Sequence, residues 1–146
     1  MIDRKFIGHR FAPSSVEVEK GQLKFFALAT GTTDPVYFDE AAARQAGHPA
    51  LPAPPTFAFS LGLAKPDPFD WIKELDIDLG RVLHGEQKFE YFGQIYAGDV
   101  ITLQAEVVDI YDKKNGALEF LVQRTTVTNQ RQELVGVMTS STVVRN

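Results

Sequence analysis

The first candidates for acid–base chemistry are His84 and Glu86, two positions apart in a segment that reads as an extended strand. Alternate residues of a strand point to the same side, so we expect both side chains on one side. A histidine exchanges protons near neutral pH, and a nearby carboxylate can orient it. The pair could therefore orient a water or contact a bound substrate. It could equally be a hydrogen-bonded histidine that supports the sheet or a subunit interface.

A second candidate is the loop Gly31–Tyr37, in which Asp34 precedes Pro35. The Asp34 carboxylate could take part in catalysis. An aspartate before a proline is also a common way to cap a turn, because its side chain accepts a hydrogen bond from the backbone just beyond it. The sequence leaves both interpretations open.

The residue inventory argues against several other kinds of site. The three histidines, His9, His48 and His84, show no clustered spacing and the chain has no cysteine, so we expect neither a metal site nor thiolate chemistry. His9 and His48 lie in loop-like sequence and are expected to be solvated. No phosphate-binding glycine loop, nucleophile elbow or dinucleotide fingerprint occurs, so no cofactor is expected.

Charge and hydropathy restrict the partners and the environment of the chain. Its net charge is −4, its pI is near 5.3 and its basic residues are scattered, so a nucleic-acid partner is not expected. No apolar run approaches the roughly 20 residues that span a bilayer. The segment Met1–Lys5 lacks the apolar core of a secretory signal. We expect a soluble, cytoplasmic protein with no membrane partner.

Two helices are expected around the loop. Lys20–Thr30 carries apolar residues at helical spacing. Its additional Phe25 and Leu28 make it apolar over most of its circumference, as expected of a helix buried on several sides. Asp39–Ala46 is rich in alanine, begins with acidic residues and is followed by Gly47, which predicts a capped helix.

A proline-rich approach, Leu51–Thr56, then leads into the apolar segment Phe57–Ala64. We interpret this segment as a central buried helix, although its alternation leaves a strand as the alternative. Residues 65–80 read as a surface excursion that Trp71 and Ile72 hold against the core.

The remainder of the chain alternates in the manner of strands. Expected strands are Val82–Phe92, the stretches around Ile101–Val107 and Leu118–Val122, and Leu134–Val144, with Phe11–Val18 as a fifth. Asn115-Gly116 predicts a hairpin turn with positive φ. The fold class is α+β, a long antiparallel sheet wrapped around a central apolar helix. Such a sheet leaves one flank open for a second copy, so we expect a dimer.

Two motifs in this order resemble the MaoC-like (type-2 enoyl-CoA hydratase) dehydratase family. The first is the loop Gly31-Thr32-Thr33-Asp34-Pro35-Val36-Tyr37, which precedes Phe38-Asp39-Glu40-Ala41; the second is Leu83-His84-Gly85-Glu86-Gln87, which precedes Phe89-Glu90-Tyr91-Phe92 and Ala97-Gly98-Asp99. The second motif is similar to the N-terminal, non-catalytic half of peroxisomal double hot-dog hydratases and to one subunit class of mycobacterial acyl-carrier dehydratases. The resemblance implies one hot-dog domain over residues 1–146.

The resemblance also implies which positions should be catalytic. Active members read Gly-Asp-x-Asn-Pro-x-His in the loop and carry a later His-Gly pair whose glycine N–H polarises the thioester carbonyl. Here Thr32 and Tyr37 stand at the Asp and His positions, and ungapped counting from Gly31 places Pro54-Pro55 at the His-Gly pair. Threonine offers no base near neutral pH, tyrosine ordinarily titrates near about pH 10, and proline has no N–H.

The family chemistry is reversible addition of water to a trans-2-enoyl thioester, which yields an (R)-3-hydroxyacyl product in fatty acid metabolism. With its catalytic positions altered, the chain is expected to be the acyl-tunnel subunit, active with a motif-bearing MaoC-like chain. Tyr37, Phe57 and Phe59 are expected to contact the substrate. Two alternatives remain: a self-sufficient homodimeric hydro-lyase that uses His84 and Glu86, and a non-catalytic acyl-thioester-binding protein. The implied partners are an acyl-CoA or acyl-carrier-protein thioester and a second chain, in a homodimer or heterodimer.

Overall fold

One antiparallel sheet dominates the computed structural model, which describes all 146 residues. Its strands are β1 (Ser14–Glu17), β2 (Val82–Tyr91), β3 (Val100–Lys113), β4 (Leu118–Thr128) and β5 (Leu134–Arg145). They are hydrogen-bonded in the order β1-β3-β4-β5-β2, so β1 and β2 are the two edges. The expected five strands and the α+β class are confirmed.

The β3–β4 hairpin turns at the expected place. Lys113 pairs with Leu118, and both Asn115 and Gly116 have positive φ. Lys114 also has a positive φ of 54°, which the Asn-Gly signal did not predict. The tight turn fixes the register of β3 and β4, and thereby which residues share a face.

Four helices lie between the strands: α1 (Lys20–Ala29), α2 (Glu40–Gln45), α3 (Phe57–Leu61) and α4 (Asp70–Glu74). Short 3-10 turns occupy Arg4–Phe6, Pro35–Tyr37 and Leu79–Arg81. None of the helices is long and apolar enough to cross a bilayer.

The expectation that α1 is buried on several sides is wrong for the single chain. Leu23 and Ala27 are fully buried, but Phe25 and Leu28 are 74% and 70% exposed. The four residues therefore divide the helix into one face that packs on the core and one that meets solvent. Composition alone could not separate these two faces, because both are apolar.

Two apolar clusters lie on one face of the sheet, which we call the inner face. The first joins Leu23 of α1 and Leu61 of α3 to Leu103, Val127 and Met138 of the sheet. The second cluster brings Ile72, Leu75 and Ile77 of the α4 region against the far ends of the strands, at Val107, Ile110, Leu121 and Val144. The excursion 65–80 is thus held by buried residues, Ile72 among them, as expected.

The central helix is shorter than the sequence suggested. It is a helix, as interpreted, but α3 ends at Leu61, and Gly62–Ala64 continue only as a turn. Phe57, Ala58 and Leu61 are buried, whereas Phe59 and Leu63 are exposed. The short helix leaves the middle of the inner face less covered than a longer helix would.

Candidate functional site

A cavity of about 260 Å³ lies where the proline-rich approach meets the β2 edge of the sheet. Its wall combines the loop residue Tyr37 with the approach residues Ala53, Pro54, Pro55 and Thr56. The remaining lining residues are Ala58, Phe89, Glu90, Tyr91, Gly93, Gln94, Ile95, Val127, Val135, Gly136, Val137 and Met138. Ten of the 17 lining residues are hydrophobic, so the cavity suits an apolar group.

The loop Gly31–Tyr37 presents Tyr37 to this cavity but not Thr32. The Asp34 carboxylate accepts a hydrogen bond from the N–H of Val36 at 3.0 Å and caps the 3-10 turn that carries Tyr37. The capping interpretation of Asp34 is therefore confirmed. Thr32 is half-buried, and its N–H donates to the carbonyl of Ala27 at the end of α1.

The end of this loop is anchored by α2. The Asp39 carboxylate accepts hydrogen bonds from the N–H groups of Ala42 and Ala41, and these bonds lower the pKa of Asp39 below its ordinary value. Glu40 pairs with Lys20 of α1, and the hydrogen bond from Lys20 is the largest cause that lowers the Glu40 pKa. The loop is thus fixed at both ends, which sets the position of Tyr37.

Thr56 is a cavity-wall residue that the sequence did not single out. It precedes α3 with φ of 70°, in the left-handed region that disfavours a β-branched residue. Its backbone N–H donates to the Tyr91 hydroxyl at 3.1 Å. Pro54 and Pro55 have no backbone N–H, so Thr56 is the first residue after them that offers one. The Tyr91 hydroxyl already accepts the hydrogen bond from this N–H. No local pattern predicts this conformation, whereas Tyr91 could have been found by its alternation with Phe89.

Two of the residues expected to contact a substrate do not line the cavity. Phe57 is buried and packs edge-on against Phe26 of α1, with ring centroids 5.4 Å apart. Phe59 points elsewhere, and its ring lies 5.7 Å from that of His84. Of Tyr37, Phe57 and Phe59, only Tyr37 is a lining residue. The helical period separates Phe57 from Phe59, which a strand-like alternation would have placed on one side.

His84 and Glu86 do not share a side of β2, so that expectation is wrong. The register shifts between them: His84 pairs with Thr142 and Glu86 with Ser141, which leaves Gly85 as an extra residue in a β-bulge. His84 therefore lies on the inner face and Glu86 on the opposite, outer face. The ring of His84 instead approaches the side-chain amide oxygen of Gln87, with Nε2 and Oε1 3.4 Å apart.

Glu90 is the only carboxylate residue in the cavity wall. Alternation along β2 places its side chain on the outer face, away from Phe89 and Tyr91, and it pairs with Lys88 at 3.3 Å. No histidine lines the cavity. The cavity lining therefore offers no imidazole and no carboxylate that alternation directs inward.

His9 and His48 are less solvated than expected. His9 Nε2 lies 2.7 Å from a Glu74 carboxylate oxygen, and His48 Nδ1 lies 3.2 Å from the Tyr96 hydroxyl. Both histidines are half-buried. No group of three or more His, Cys, Asp or Glu residues is placed to hold a metal ion.

Comparison with known proteins identifies the family. Residues 5–138 match the family model described as FAS1-like, dehydratase domain region. The chain belongs to this dehydratase family. Among its relatives, a UPF0336 protein of Streptomyces griseus is 37% identical over 107 residues, which cover 73% of this chain and 71% of the relative. A UPF0336 protein of Saccharopolyspora erythraea is 34% identical over 145 residues, 99% of this chain and 92% of the relative.

Solved structures confirm the MaoC-like resemblance and the hot-dog fold of this FAS1-like dehydratase-family chain. One is the C-terminally truncated HadBC (3R-hydroxyacyl-ACP dehydratase) complex of Mycobacterium tuberculosis, with a TM-score of 0.82 and 26% identity over 94% of this chain and 96% of that one. The ChsH1–ChsH2 complex of the same organism has a TM-score of 0.75 and 26% sequence identity, and the match covers 94% of this chain and 89% of that one. A MaoC-like dehydratase has a TM-score of 0.84 and 22% sequence identity, and the match covers 97% of this chain and 42% of that one.

Proposed function

We propose that this chain is the acyl-tunnel subunit of an (R)-specific enoyl-thioester hydratase or 3-hydroxyacyl-thioester dehydratase. A second, motif-bearing MaoC-like chain supplies the Asp–His loop that activates water. The observation that supports this most directly is the cavity itself. Its wall is largely apolar, as an acyl group requires, and it includes Tyr37 and the Pro54-Pro55 pair. These are the residues that the family resemblance assigns to the positions of the base and of the carbonyl-polarising N–H.

Addition of water to an enoyl thioester needs a group that accepts a proton and a donor that stabilises the charge on the carbonyl oxygen. Neither is free in this cavity. The Tyr37 position carries a hydroxyl side chain in place of the histidine that the active loop uses as its base. The N–H of Thr56 donates to Tyr91 within the chain. The cavity can therefore accommodate an acyl group without the means to hydrate it.

The β2 edge supports assembly with a second chain. The strand β2 is ten residues long, and no strand pairs with it on the side away from β5. Its last residue, Tyr91, and the following Phe92 are exposed aromatic residues. Long exposed edges of this kind are usually paired or covered in native proteins. The cavity adjoins this edge and is slightly smaller than the roughly 300–1,000 Å³ typical of complete small-molecule sites. A partner that pairs with β2 would both extend the sheet and complete the cavity.

The deciding experiment measures hydration of short- and medium-chain trans-2-enoyl-CoAs by three samples. The first is this chain alone, the second is a MaoC-like chain from the same genome that has the intact Gly-Asp-x-Asn-Pro-x-His loop, and the third is the mixture of both. We expect no turnover from this chain alone. We expect a heterodimeric mass and a gain of at least about 100-fold for the mixture, the usual contribution of a positioned base. Robust hydration by the isolated chain would reject the proposal. Binding of acyl-CoA without turnover under any partner condition would identify a binding protein instead.

His84→Ala separates the tunnel proposal from the self-sufficient hydro-lyase. If His84 is a general base, kcat falls by about 100-fold or more. If His84 only contacts the acyl group, KM for long substrates changes while kcat of the mixture is kept. We expect the second result, because the β-bulge at Gly85 separates His84 from Glu86. Glu86→Gln is the companion variant, and it should change neither quantity.

Phe92→Asp tests the β2 edge as the partner surface. Phe92 is exposed in the single chain, so the substitution should leave the fold intact while it places a charge in the proposed interface. We expect loss of the heterodimer in native mass measurements. Ile7→Asp is the matched control, because Ile7 is also exposed but lies beside β3, across the sheet from β2. Equal effects of the two variants on assembly would contradict a β2 interface.

A further inference from the structure

A row of polar side chains crosses the middle of the inner face, between the two apolar clusters. Gln87 of β2 pairs with Ser140 of β5, which pairs with Gln123 of β4; in the next row His84 pairs with Thr142. We call these five residues, His84, Gln87, Gln123, Ser140 and Thr142, the polar band. Residues paired directly across an antiparallel ladder share a face, so all five side chains belong to the same surface as Phe89 and Met138 of the cavity wall.

Two members of the polar band, Gln123 and Thr142, are buried, at 7% and 5% exposed, whereas Gln87 and Ser140 are half-buried and His84 is exposed. The Gln87 amide donates to the carbonyl of Lys88 at 3.3 Å. The structure records no hydrogen bond from the side chains of Gln123, Ser140 or Thr142 to another protein group, and the His84–Gln87 contact is long at 3.4 Å. No unbonded side-chain oxygen or nitrogen is sealed from solvent, however. The unbonded polar atoms of Gln123 and Thr142 therefore keep contact with solvent although most of each side chain is buried, since sealed polar groups in a core almost always find partners.

The polar band lies beyond the cavity along the sheet, and none of its five residues belongs to the cavity lining itself. The cavity floor includes Phe89 and Met138, which are paired with one another, and the Gln87–Ser140 row is the next one along the same strands. Successive rows on one face are about 7 Å apart. Phe59 of the short helix α3 lies over His84 at the far side. A chain that enters beside Tyr37 and follows the inner face thus crosses apolar rows first and the polar band afterwards.

We propose that the site takes acyl groups with a hydrogen-bonding oxygen, such as a hydroxyl, keto or ether oxygen, in the distal part of the acyl chain. This rests on the proposed function, since it concerns the tail of the same acyl group. An unbroken methylene chain would displace water from the Gln123 amide and from the Ser140 and Thr142 hydroxyls and replace none of its hydrogen bonds. Such a loss is unfavourable, whereas an oxygen at that depth restores at least one bond.

The test uses the complex of this chain with the motif-bearing MaoC-like chain, because the proposed partner completes the cavity, and it uses non-reacting ligands. The probes are a saturated long-chain acyl-CoA and its analogues with a single hydroxyl at successive carbons of the distal half. Isothermal titration should show that one or two neighbouring hydroxyl positions bind about tenfold more tightly than the parent, the effect of one net hydrogen bond. Other positions should bind no better than the parent.

Thr142→Val and Gln123→Leu remove polar groups of the band with little change of volume. We expect either variant to bind the preferred hydroxylated analogue no more tightly than it binds the parent acyl-CoA. Thr139→Val is the matched control, because Thr139 lies on the same strand but pairs with Arg124 and Lys88 on the outer face. It should keep the full preference. Circular dichroism and the unfolding midpoint establish that each variant is folded.

The possible failures are distinguishable. Equal binding of the parent and all hydroxylated analogues would overturn the oxygenated-tail proposal and leave the acyl-binding function standing. A preference that survives in both band variants would overturn it as well, since the oxygen would then be recognised elsewhere. Absence of binding by every acyl-CoA would overturn this proposal together with the proposed function.

Discussion

The backbone N–H of Thr56 donates to the hydroxyl of Tyr91 across 3.1 Å, and Thr56 holds a φ of 70° in making this bond. The left-handed region costs a β-branched residue about 1–2 kcal/mol, whereas glycine adopts it freely. The cavity wall therefore contains a residue in a strained conformation. Strain of this kind persists only where the surrounding structure imposes it, here through the prolines before Thr56 and the buried Phe57 after it.

Thr56→Gly should relieve this strain. Relief is partly offset by the greater freedom of glycine in the unfolded chain, so we expect the free energy of unfolding to rise by up to about 1 kcal/mol. Denaturant titration measures it. Thr33→Gly is the control, because Thr33 is exposed and does not have a positive φ, and it should lower stability. The interpretation fails if both variants destabilise equally.

Gly85→Ala should disrupt the β-bulge that separates His84 from Glu86. A Cβ atom at Gly85 would lie 2.8 Å from Cγ2 of Val143 and 3.0 Å from the carbonyl oxygen of Ser141, and backbone cannot yield as a flexible side chain does. We expect a loss of about 1–3 kcal/mol in the free energy of unfolding, as for overpacking.

Gly21→Ala is the opposite case. Gly21 lies in α1, and a Cβ atom there would meet nothing within 4 Å. The substitution should raise the free energy of unfolding by about 0.5 kcal/mol, because alanine is the better helix former. If Gly21→Ala lowers the free energy of unfolding as Gly85→Ala does, the close contacts at Gly85 are not the cause of the expected difference between the two variants.

The β-bulge also shows where sequence reasoning stops. Alternation predicted all five strands, and Asn115-Gly116 predicted the hairpin, because both are local properties of the backbone. The bulge depends on how β2 pairs with β5, more than 50 residues away in the chain. Gly85 is a local signal for a bulge, because an isolated glycine inside a strand often marks one, but strict alternation ignores it and places His84 and Glu86 on one side.

The candidate site was also predictable only in part, because local features can be inferred from the sequence and long-range contacts cannot. Tyr37 was expected to contact the substrate and does line the cavity, and Asp34 was recognisable as a cap. The exposure of Phe25 and the early end of α3 were not predictable, since apolar residues look alike whether they face the core or solvent. The polar band was hidden as well, because its members come from three strands and meet only through their register.

The cap of α2 should make stability depend on pH in the acid range. The N–H groups of Ala42 and Ala41 favour the charged form of Asp39 and lower its pKa in the folded state. The stabilisation is therefore fully present above the ordinary aspartate pKa of about 3.9 and is lost as the pH falls through the lower folded value. Asp39→Ala should lower the unfolding midpoint at neutral pH, and its difference from the parent chain should shrink below about pH 4.

Asp39→Asn provides the control for this titration, because asparagine caps a helix without changing charge. The difference between the Asn and Ala variants should stay constant as the pH falls. If the parent chain keeps its full advantage over the Ala variant throughout the acid range, the ionised Asp39 carboxylate is not the source of the cap's stability.

Glu119 should be the polar residue whose loss costs most stability, because it joins both ends of the chain. Its carboxylate is 3% exposed and accepts hydrogen bonds from the N–H of Ile2 and the side-chain amide of Asn146, both at 2.8 Å. Glu119→Ala leaves both donors without this acceptor, so we expect the free energy of unfolding to fall by about 2–3 kcal/mol. Glu133→Ala, which removes an exposed carboxylate paired with Arg131, should cost clearly less in the same denaturant titration. Equal losses would show that the Glu119 bonds do not secure the two ends.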